Sequence, residues 1–483
     1  MKEIRHDVRS ILQSYEKSIA VPVNVALGNQ TSLTPMYASE KPPYALRDYV
    51  IQYPEALVEG YRLACEQYDK YFIGIVDGHK TSQTDYKYAP KTFAYQIDGP
   101  AYSEAFLKEA ANMHPSDFAA FITARVFEFE PNIAAYGLNN RLWGGTTSDT
   151  WKAGIEDIRR RTGKKVAILT GTQAKLDETI LYETGIANKQ YMPAGRIKDM
   201  TGFDDIIGPD DLKVIHAMFG GSDSPFVFFG RTSMPKDWLR NPNTQVSKAL
   251  SDPEIIKYIR EYAITHNFDD PNLPNSDSRV IMDTKEALVR SGGAYSVSNV
   301  ADIYSDDLLS ELSSKGIHIE LITDGTITPK QKVELGKQLQ KFQPSALLSG
   351  SLIDHLERRG VDSSDFANGK RKVRVKPLKQ HYGIYGHETG SLNSSKFLNA
   401  VTSQIKLRGD YILQPEFANL QVANSINTGE SYVAIDRVFF IRGSNGELKP
   451  MESCRSLMPV NSTDGSKNNV HEGSETRCAR IAI

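Results

Sequence analysis

A lysine at the end of a strand, followed by a glycine-spaced loop, is the first feature of this chain that could do chemistry. In the stretch KVRVKPLKQHYGIYGHETGS, Lys376 closes a β-branched run, Pro377 follows it, and glycines recur at Gly383 and Gly386. A lysine in that position can reach the phosphates of a triphosphate, and a glycine-rich loop can bring its backbone amides close because no Cβ intervenes. These residues therefore predict a phosphate-binding site.

Polar residues on later strands extend this prediction to a whole nucleotide. The segment GDYILQPEF is typical of a strand, and it ends in Gln414 and Glu416, which offer polar groups to the edge of adenine. The strand YVAIDRVFFIR carries Arg437, and Arg455 follows in PMESCRS. Arginines on such strands can balance the charge that develops on a transferring phosphoryl group. We therefore predict nucleotide chemistry in the last third of the chain.

The order of these pieces resembles the ATP-grasp family of ligases, which join a carboxylate to an amine. The shared series is Lys-Pro, a glycine loop, a helix, an ILQPE strand and an RVFF strand, and it covers residues 370–475. The resemblance implies an ATP-grasp-like fold, a nucleotide held between two lobes, and ATP and Mg²⁺ as cofactors. It implies these roles: Lys376 for phosphate binding, Gly383 and Gly386 for the loop over the phosphates, Gln414 and Glu416 for the adenine hinge, and Arg437 and Arg455 for the phosphoryl and acyl groups.

The metal carboxylates are expected early in the chain. In most ATP-grasp enzymes an Asp and a Glu-x-Asn follow the last arginine passage, and we expect no room for them there. The upstream segment DFAAFITARVFEFEPN supplies Asp117, Glu130 and Asn132. This inverted order resembles the circularly permuted, glutathionylspermidine synthetase-like type, and it makes these three residues the expected Mg²⁺ ligands. Such oxygen ligands suit Mg²⁺, which also needs the phosphates of ATP.

Two details bear on that ligand set. Glu130 and Asn132 are two residues apart, so a strand would place both side chains on one face, and the proline between them indicates a strand end. The permuted family usually has an Arg two residues before its Asp, where this chain has Pro115. Asp98 is therefore kept as the alternative to Asp117.

The elements that would position these residues alternate between helix and strand. The alternation predicts an α/β fold (α+β lobes) with largely parallel sheets. To the ATP-grasp-like part we add a Rossmann-like domain. The predicted domains are 1–150, which carries the metal carboxylates, 151–345, which is the Rossmann-like or substrate region, and 346–483, which is the ATP-grasp lobe.

Individual elements follow from periodicity and from cap and turn residues. The predicted helices are 1–20, 101–113, WKAGIEDIRRR, LDETILYETG, Pro329–Phe342 and SSKFLNAVTSQIKL, the last with Ser394 or Ser395 as its N-cap. The predicted strands are DFAAFITARVFEFEPN, GKKVAILTG, PFVFFG, KVRVKP, GDYILQPEF and YVAIDRVFFIR.

Bulk composition argues against several classes of partner. The chain has 483 residues, 40% hydrophobic and 24% charged, with a formal net charge of −2, so no overall field steers it to nucleic acid or to an anionic membrane. The cysteines Cys65, Cys454 and Cys478 form no CxxC motif and suit a reducing compartment.

The sequence also predicts where the protein is found and what it binds. Because the sequence shows no apolar N-terminal segment and no apolar run of membrane length, we expect a cytoplasmic protein. The expected partners are small carboxylate and amine substrates, and a homodimer is the assembly left open.

Two other functions stay open at this point. The segments RTSMPK at 231–236 and IYGHETG at 384–390 faintly resemble motifs of adenylate-forming acyl ligases, although no C-terminal catalytic lysine motif accompanies them. A non-catalytic scaffold with a degenerate nucleotide fold is the third hypothesis. The products separate the two ligases, because the first releases ADP and phosphate and the second releases AMP and pyrophosphate.

Overall fold

The computed structural model describes part of the 483-residue chain. The described residues are 6–27, 44–69, 75–76, 79–80, 94–123, 130–132, 152, 155–156, 159–160, 163–169, 180–184, 189–192, 198, 202–207, 226–229, 289, 292–378, 388–416, 418–427, 429–442, 447–460 and 477–483. Within them the chain is a mixed α/β protein with helices and several β-sheets.

The helices are numbered in chain order. They are α1 Val8–Ile19, α2 Glu55–Asp69, α3 Glu104–Ala110, α4 Pro115–Thr123, α5 Asp306–Ser314, α6 Ile319–Thr323, α7 Pro329–Lys341, α8 Pro344–Leu347, α9 Gly350–Arg358, α10 Ser363–Ala367 and α11 Ser395–Arg408, and a 3-10 helix spans Val300–Asp302.

The strands are numbered in the same way. They are β1 Val23–Val25, β2 Tyr44–Gln52, β3 Ile75–Val76, β4 His79–Lys80, β5 Ala94–Pro100, β6 Glu130–Asn132, β7 Lys165–Leu169, β8 Ile180–Thr184, β9 Lys189–Met192, β10 Asp205–Ile207, β11 Phe226–Phe229, β12 Tyr295–Val297, β13 Val373–Pro377, β14 Glu388–Gly390, β15 Tyr411–Pro415, β16 Gln421–Asn424, β17 Ser431–Arg442, β18 Leu448–Pro459 and β19 Arg477–Ala482.

The chain forms two compact units, and each is built from three separate segments. Unit 1 consists of Met1–Glu16, Met113–Phe129 and Lys285–Ala418. Unit 2 consists of Lys17–Asn112, Glu130–Thr284 and Asn419–Ile483. These units are interleaved along the sequence, whereas the sequence analysis divided the chain into three consecutive segments, a division that stays a prediction.

Unit 1 contains an antiparallel four-stranded sheet with the order β12-β15-β13-β14. Val373, Val375 and Leu413 on one of its faces are buried. Helix α11 packs beside β14 and begins as the sequence predicts, because the Ser394 hydroxyl accepts a hydrogen bond from the Phe397 N–H.

Unit 2 contains an eight-stranded sheet that is antiparallel at its centre. Its main path runs β1-β16-β17-β18-β19-β2, and β5 pairs with both β17 and β6. Only the outer pairs β1–β16 and β19–β2 are parallel. The expectation of largely parallel sheets is therefore wrong for this sheet. Strands β16, β17 and β18 follow one another along the chain, and neighbouring strands joined by short connections pair antiparallel.

A separate three-stranded sheet in unit 2 is parallel. Its order is β10-β7-β11, with Val166 and Ala167 of β7 paired to Val227 and Phe228 of β11. The predicted strands over KVAIL and FVFF are confirmed here. This is the described region in which the alternating pattern of the sequence gives a parallel sheet.

Two predicted elements have the wrong type. The strand predicted over Asp117–Asn132 is wrong in its first part, which belongs to helix α4, Pro115–Thr123. Pro115 and Asp117 are typical of a first helical turn, and the buried apolar residues recur at helical spacing. The segment around Ile180–Thr184 was expected to be helix and forms β8, which pairs with β9. Its β-branched and aromatic residues favour a strand once a partner strand is present.

None of the described helices has the length and apolar character that crossing a membrane requires.

Candidate functional site

Lys376 and Arg374 lie on one face of the four-stranded sheet in unit 1. They are two residues apart on β13, so their side chains extend to the same side. The Lys376 side chain is only 5% exposed, which is rare for lysine, since an amine removed from water needs polar or anionic groups around it. The structure thus buries the lysine at this strand end, and its role in phosphate binding stays a prediction.

Gln414 lies on the same face, directly across the ladder from Arg374. The register pairs Arg374 with Gln414 and Lys376 with Ile412, and directly opposed residues of antiparallel strands share a face. Gln414 is 1% exposed, and neither Oε1 nor Nε2 of its amide has a hydrogen-bond partner in the described part of the chain. A buried polar group left unpaired costs about 1–3 kcal/mol, so a bound polar group that pairs with this amide would be stabilised by it.

Glu416 sits just beyond the end of β15 and is held by Arg374. The Arg374 Nη2 lies 3.1 Å from Glu416 Oε1, and both side chains are mostly buried. The Glu416 N–H donates to the Lys372 carbonyl at 2.9 Å, which continues the β13–β15 ladder by one step. The carboxylate of Glu416 is therefore already engaged by a cation within unit 1.

Together Arg374, Lys376 and Gln414 define the Lys376 face. It carries two cationic side chains and one amide whose donors and acceptor are unused among the described residues. Cations of this kind suit phosphate oxygens, and an amide suits the polar edge of a planar ring. The face can therefore bind an anion and a heterocycle at neighbouring positions on two adjacent strands.

In unit 2, Asp98 occupies the centre of a second polar face, on the eight-stranded sheet. The register sets Asp98 opposite Arg437 on one side and opposite Glu130 on the other. Arg437 Nε lies 3.4 Å from Asp98 Oδ1. Asn132, two residues beyond Glu130, stands opposite Gln96. Asp98, Glu130 and Asn132 therefore occupy positions on one face of neighbouring strands.

The donor set of this second face fits a hard cation. Two carboxylates and an amide oxygen are the ligands that Mg²⁺ takes from proteins. The side chains of Glu130 and Asn132 lie outside the described part of the chain, and the described side chains contain no group of three His, Cys, Asp or Glu residues placed for metal binding. The fit thus rests on the residue types and on the strand register.

Asp117 occupies a different environment from Glu130. It lies in the first turn of α4, in unit 1, and its Oδ2 accepts the backbone N–H of His6 at 2.9 Å. Glu130 lies on β6 in unit 2. The described carboxylate that pairs with Glu130 in the ladder is Asp98, the alternative kept from the sequence, while the metal role of Asp117 stays a prediction.

Arg455 is buried in an ion pair with Asp436. Its Nε and Nη2 lie 2.5 and 2.7 Å from the two Asp436 carboxylate oxygens, Nη2 also donates to the Tyr102 carbonyl at 2.7 Å, and Nη1 donates to the Tyr49 hydroxyl at 3.0 Å. The Tyr53 hydroxyl donates to Asp436 as well. Burial by itself lowers the pKa of Arg455, but the Asp436 carboxylate outweighs burial and raises that pKa above its ordinary value. We call these five residues the Arg455 cluster.

The two arginines expected to act together lie on opposite faces of the sheet in unit 2. Asp436 is opposite Arg455, and Arg437 is opposite Cys454, so Arg437 and Arg455 project to different sides. Only Arg437 shares its face with Asp98 and with the position of Glu130. Arg437 thus keeps the geometry of a site residue, and Arg455 has that of a packed ion pair.

Other predicted site residues lie outside the described residues. Gly383 and Gly386 belong to the segment 379–387, and the stretch RTSMPK belongs to 230–288. Their assigned roles stay predictions.

Sequence reasoning missed Arg374. The signal was present, because Arg374 precedes Lys376 by two residues in a run that was predicted to be a strand. That spacing alone places both side chains on one face. The pairing with Glu416 had no sequence signal, since it depends on which strand pairs with β13.

Comparison with known proteins adds no family assignment, since neither a protein-family model nor a curated protein sequence matches the chain.

Proposed function

We propose that the chain is an ATP- and Mg²⁺-dependent ligase of the ATP-grasp type, which joins a small carboxylate to an amine. The observation that carries the proposal is the Lys376 face. A buried lysine stands on one face of two adjacent strands, beside a buried glutamine whose amide has no hydrogen-bond partner in the described part of the chain. Unpaired buried amide atoms are costly, and a nucleobase supplies the donor and acceptor that they lack.

The groups of unit 1 are assigned to the nucleotide. Lys376 binds the phosphates, and Gln414 with the strand end at Glu416 contacts the adenine. Gly383 and Gly386 form the loop over the phosphates, as the resemblance to the ATP-grasp family implies. Arg374 holds Glu416 in place through the 3.1 Å ion pair.

The groups of unit 2 are assigned to the metal and to the transferred phosphoryl group. Asp98, Glu130 and Asn132 hold Mg²⁺, with Asp117 as the second candidate for the aspartate. When bound, Mg²⁺ neutralises phosphate charge during transfer. Arg437, which contacts Asp98 at 3.4 Å, balances charge on the phosphoryl group. Arg455 supports the sheet through Asp436 and is assigned a packing role.

The reaction needs no protein nucleophile. The substrate carboxylate oxygen attacks the γ-phosphorus of ATP, the bond to the β-phosphate oxygen breaks, and ADP leaves. The amine then attacks the carbonyl carbon of the acyl phosphate, phosphate leaves, and the amine proton passes to solvent. The protein contributes positioning and charge neutralisation, which account for most of the acceleration in phosphoryl transfer.

The finer fold assignment belongs to the same proposal. The antiparallel four-stranded sheet with its C-terminal hinge strand supports an ATP-grasp-like lobe in unit 1. The parallel sheet β10-β7-β11 supports a Rossmann-like region within 151–345. A cytoplasmic location fits the three cysteines of the chain, which form no CxxC motif and suit a reducing compartment.

Calorimetric titration with Mg²⁺-ATP tests the proposal. We expect binding by the wild-type chain and a loss of at least about tenfold in affinity for Lys376→Ala, since a charge-assisted contact to phosphate is removed. Lys337→Ala is the matched control, because Lys337 is an exposed lysine on α7. Glu130→Gln should retain nucleotide binding without metal and lose the Mg²⁺-dependent gain in affinity.

The products decide between the ligase classes. Turnover with mixtures of amino acids and amines should release ADP and phosphate. Release of AMP and pyrophosphate would assign the adenylate-forming class instead. Absence of any nucleotide binding by calorimetry or by thermal shift would leave the non-catalytic scaffold.

A further inference from the structure

We propose that the Lys376 face accepts GTP as well as ATP, because the Gln414 amide can turn to match either base. The inference rests on the proposed function, since it concerns which nucleotide that site takes. It depends on three properties of Gln414: its two kinds of polar atom, the absence of groups that fix its orientation, and the engagement of its charged neighbour.

The amide of Gln414 offers both hydrogen-bonding roles side by side. Its Oε1 accepts, and its Nε2 donates two hydrogens. Adenine presents an amino donor beside a ring nitrogen acceptor, and a glutamine amide can bond both at once. Guanine presents a carbonyl acceptor beside a ring N–H donor. Turning the amide by half a rotation exchanges the two atoms and converts a match for adenine into a match for guanine.

No described group selects one of these orientations. Neither Oε1 nor Nε2 of Gln414 has a hydrogen-bond partner in the described part of the chain, although the residue is 1% exposed. The side chain opposite in the ladder is Arg374, and its guanidinium is directed to Glu416. A site selects one base strongly when its polar groups are fixed and would be left unpaired by the wrong base. An amide that can turn leaves neither base unpaired.

The carboxylate that could favour adenine is already engaged. A carboxylate accepts hydrogen bonds only, so it would favour the adenine amino group and repel the guanine carbonyl. Glu416 is the carboxylate at this strand end, and Arg374 Nη2 lies 3.1 Å from it. Its preference for an amino group is therefore weakened by the cation that it already binds, and base reading falls to Gln414.

Paired titrations of the full chain with Mg²⁺-ATP and Mg²⁺-GTP test the inference. We expect the two dissociation constants to agree within about tenfold, because the same amide bonds either base. Gln414→Met removes both polar atoms at nearly constant volume, and it should weaken the two nucleotides by similar factors. Gln340→Met is the matched control, since Gln340 is exposed on α7 and should leave both constants unchanged.

Three other results would overturn either the inference or the proposed function. A GTP constant more than about tenfold above the ATP constant overturns the inference and leaves the proposed function standing. Unchanged binding of both nucleotides by Gln414→Met also overturns it, because the amide would then not contact the base. If the wild-type chain binds neither nucleotide, the proposed function fails and the inference fails with it.

Discussion

The Lys376 face in unit 1 and the Arg455 cluster in unit 2 are both built from buried polar residues on antiparallel strands, yet they differ in how those residues are matched. Arg455 uses four hydrogen bonds, two of them to Asp436. Gln414 uses none in the described part of the chain. Burial alone therefore does not separate the two regions, whereas the unused hydrogen-bonding atoms of Gln414 do.

The comparison also shows that the surroundings of a strand arginine or lysine cannot be read from the sequence pattern. Arg437 and Arg455 look alike in a strand pattern, and only the register shows that they face opposite sides. Lys376 looks like a surface lysine, and the structure buries it. The predictions below test whether matched and unmatched groups behave as this contrast requires, beginning with the largest effect.

Removing the cation from the Arg455 cluster should cause the largest loss of stability. Arg455→Met leaves the Asp436 carboxylate buried without its counter-charge, and we expect a loss of about 3–5 kcal/mol in the free energy of unfolding. Urea denaturation measures it. The double variant Arg455→Met with Asp436→Leu should recover most of the loss, because both charges are then absent. A single-variant loss below about 1 kcal/mol would contradict the assigned packing role.

The free energy of unfolding should fall at acidic pH because of His355, a buried residue with two cationic neighbours. Burial, followed by the charges of Arg359 and Arg358, lowers the pKa of His355 to about 4. The ring of His355 packs 5.3 Å from that of Tyr295. Because the unfolded chain binds this proton at a pKa near 6.5, stability contributed by the neutral ring is complete above pH ~6.5 and is lost as pH falls towards 4.

The expected loss from His355 is about 3 kcal/mol over that window. The measurement is the free energy of unfolding between pH 7 and pH 4 for the wild type and for His355→Asn. Carboxylates titrate in both proteins, so the difference between the two curves isolates the histidine. Parallel curves for the two proteins would show that the ring is not held neutral by its surroundings.

Two buried amides should respond with opposite signs when they are replaced by apolar residues. Asn424, 3% exposed in unit 2, accepts from the N–H groups of Leu27 and Ile426 and donates to Glu430 at 3.0 Å. Asn424→Leu should cost about 2 kcal/mol, because those partners are left unpaired. Gln414→Met should instead stabilise the nucleotide-free chain by about 1 kcal/mol, because it removes two unpaired atoms.

Urea denaturation without and with Mg²⁺-ATP measures the free energy of unfolding of both amide variants. The Gln414→Met chain should be more stable than the wild type without nucleotide, and Mg²⁺-ATP should stabilise it less. Residues at a binding site often reduce stability in this way in exchange for binding. A loss of stability for Gln414→Met like that of Asn424→Leu would show that Gln414 is matched in solution, and the contrast between the two regions would disappear.

The smallest effect is expected for the ion pair at the end of β15. Glu416→Gln removes the charge that Arg374 contacts, and we expect a change below about 1 kcal/mol in the free energy of unfolding, since the pair is partly exposed. Nucleotide titrations of the same variant sharpen the assignment, because a larger change in affinity than in stability marks Glu416 as part of the base-binding strand end.

The sequence predicts the C-terminal elements well because their signals are local. A β-branched run closed by Pro377 gives β13, and a serine followed by helical spacing gives the start of α11. Strands β15 and β17 lie where YILQP and YVAIDRVFFIR predict them. Local signals of this kind depend on neighbours within one turn or one strand.

The rest depends on pairing partners that are distant in sequence. Asp98 comes opposite Arg437 because β5 pairs with β17, and no local pattern specifies that choice. The strand predicted over Asp117–Asn132 was wrong at its start, where Pro115–Thr123 is helix, because its aromatic content was given more weight than the helix-start residues. The strand at Ile180–Thr184 was read as helix because a ten-residue apolar pattern is compatible with both periods.

The pairing of β2 with β19 has a consequence for how the protein is made. Among the described strands, Tyr44–Gln52 pair with Arg477–Ala482, which emerge from the ribosome long afterwards. At a synthesis rate of ~5–20 residues per second, the early strand waits tens of seconds with its edge uncovered. Non-local parallel pairing is also slow to form. The sheet of unit 2 therefore cannot be completed until Arg477–Ala482 have been synthesised.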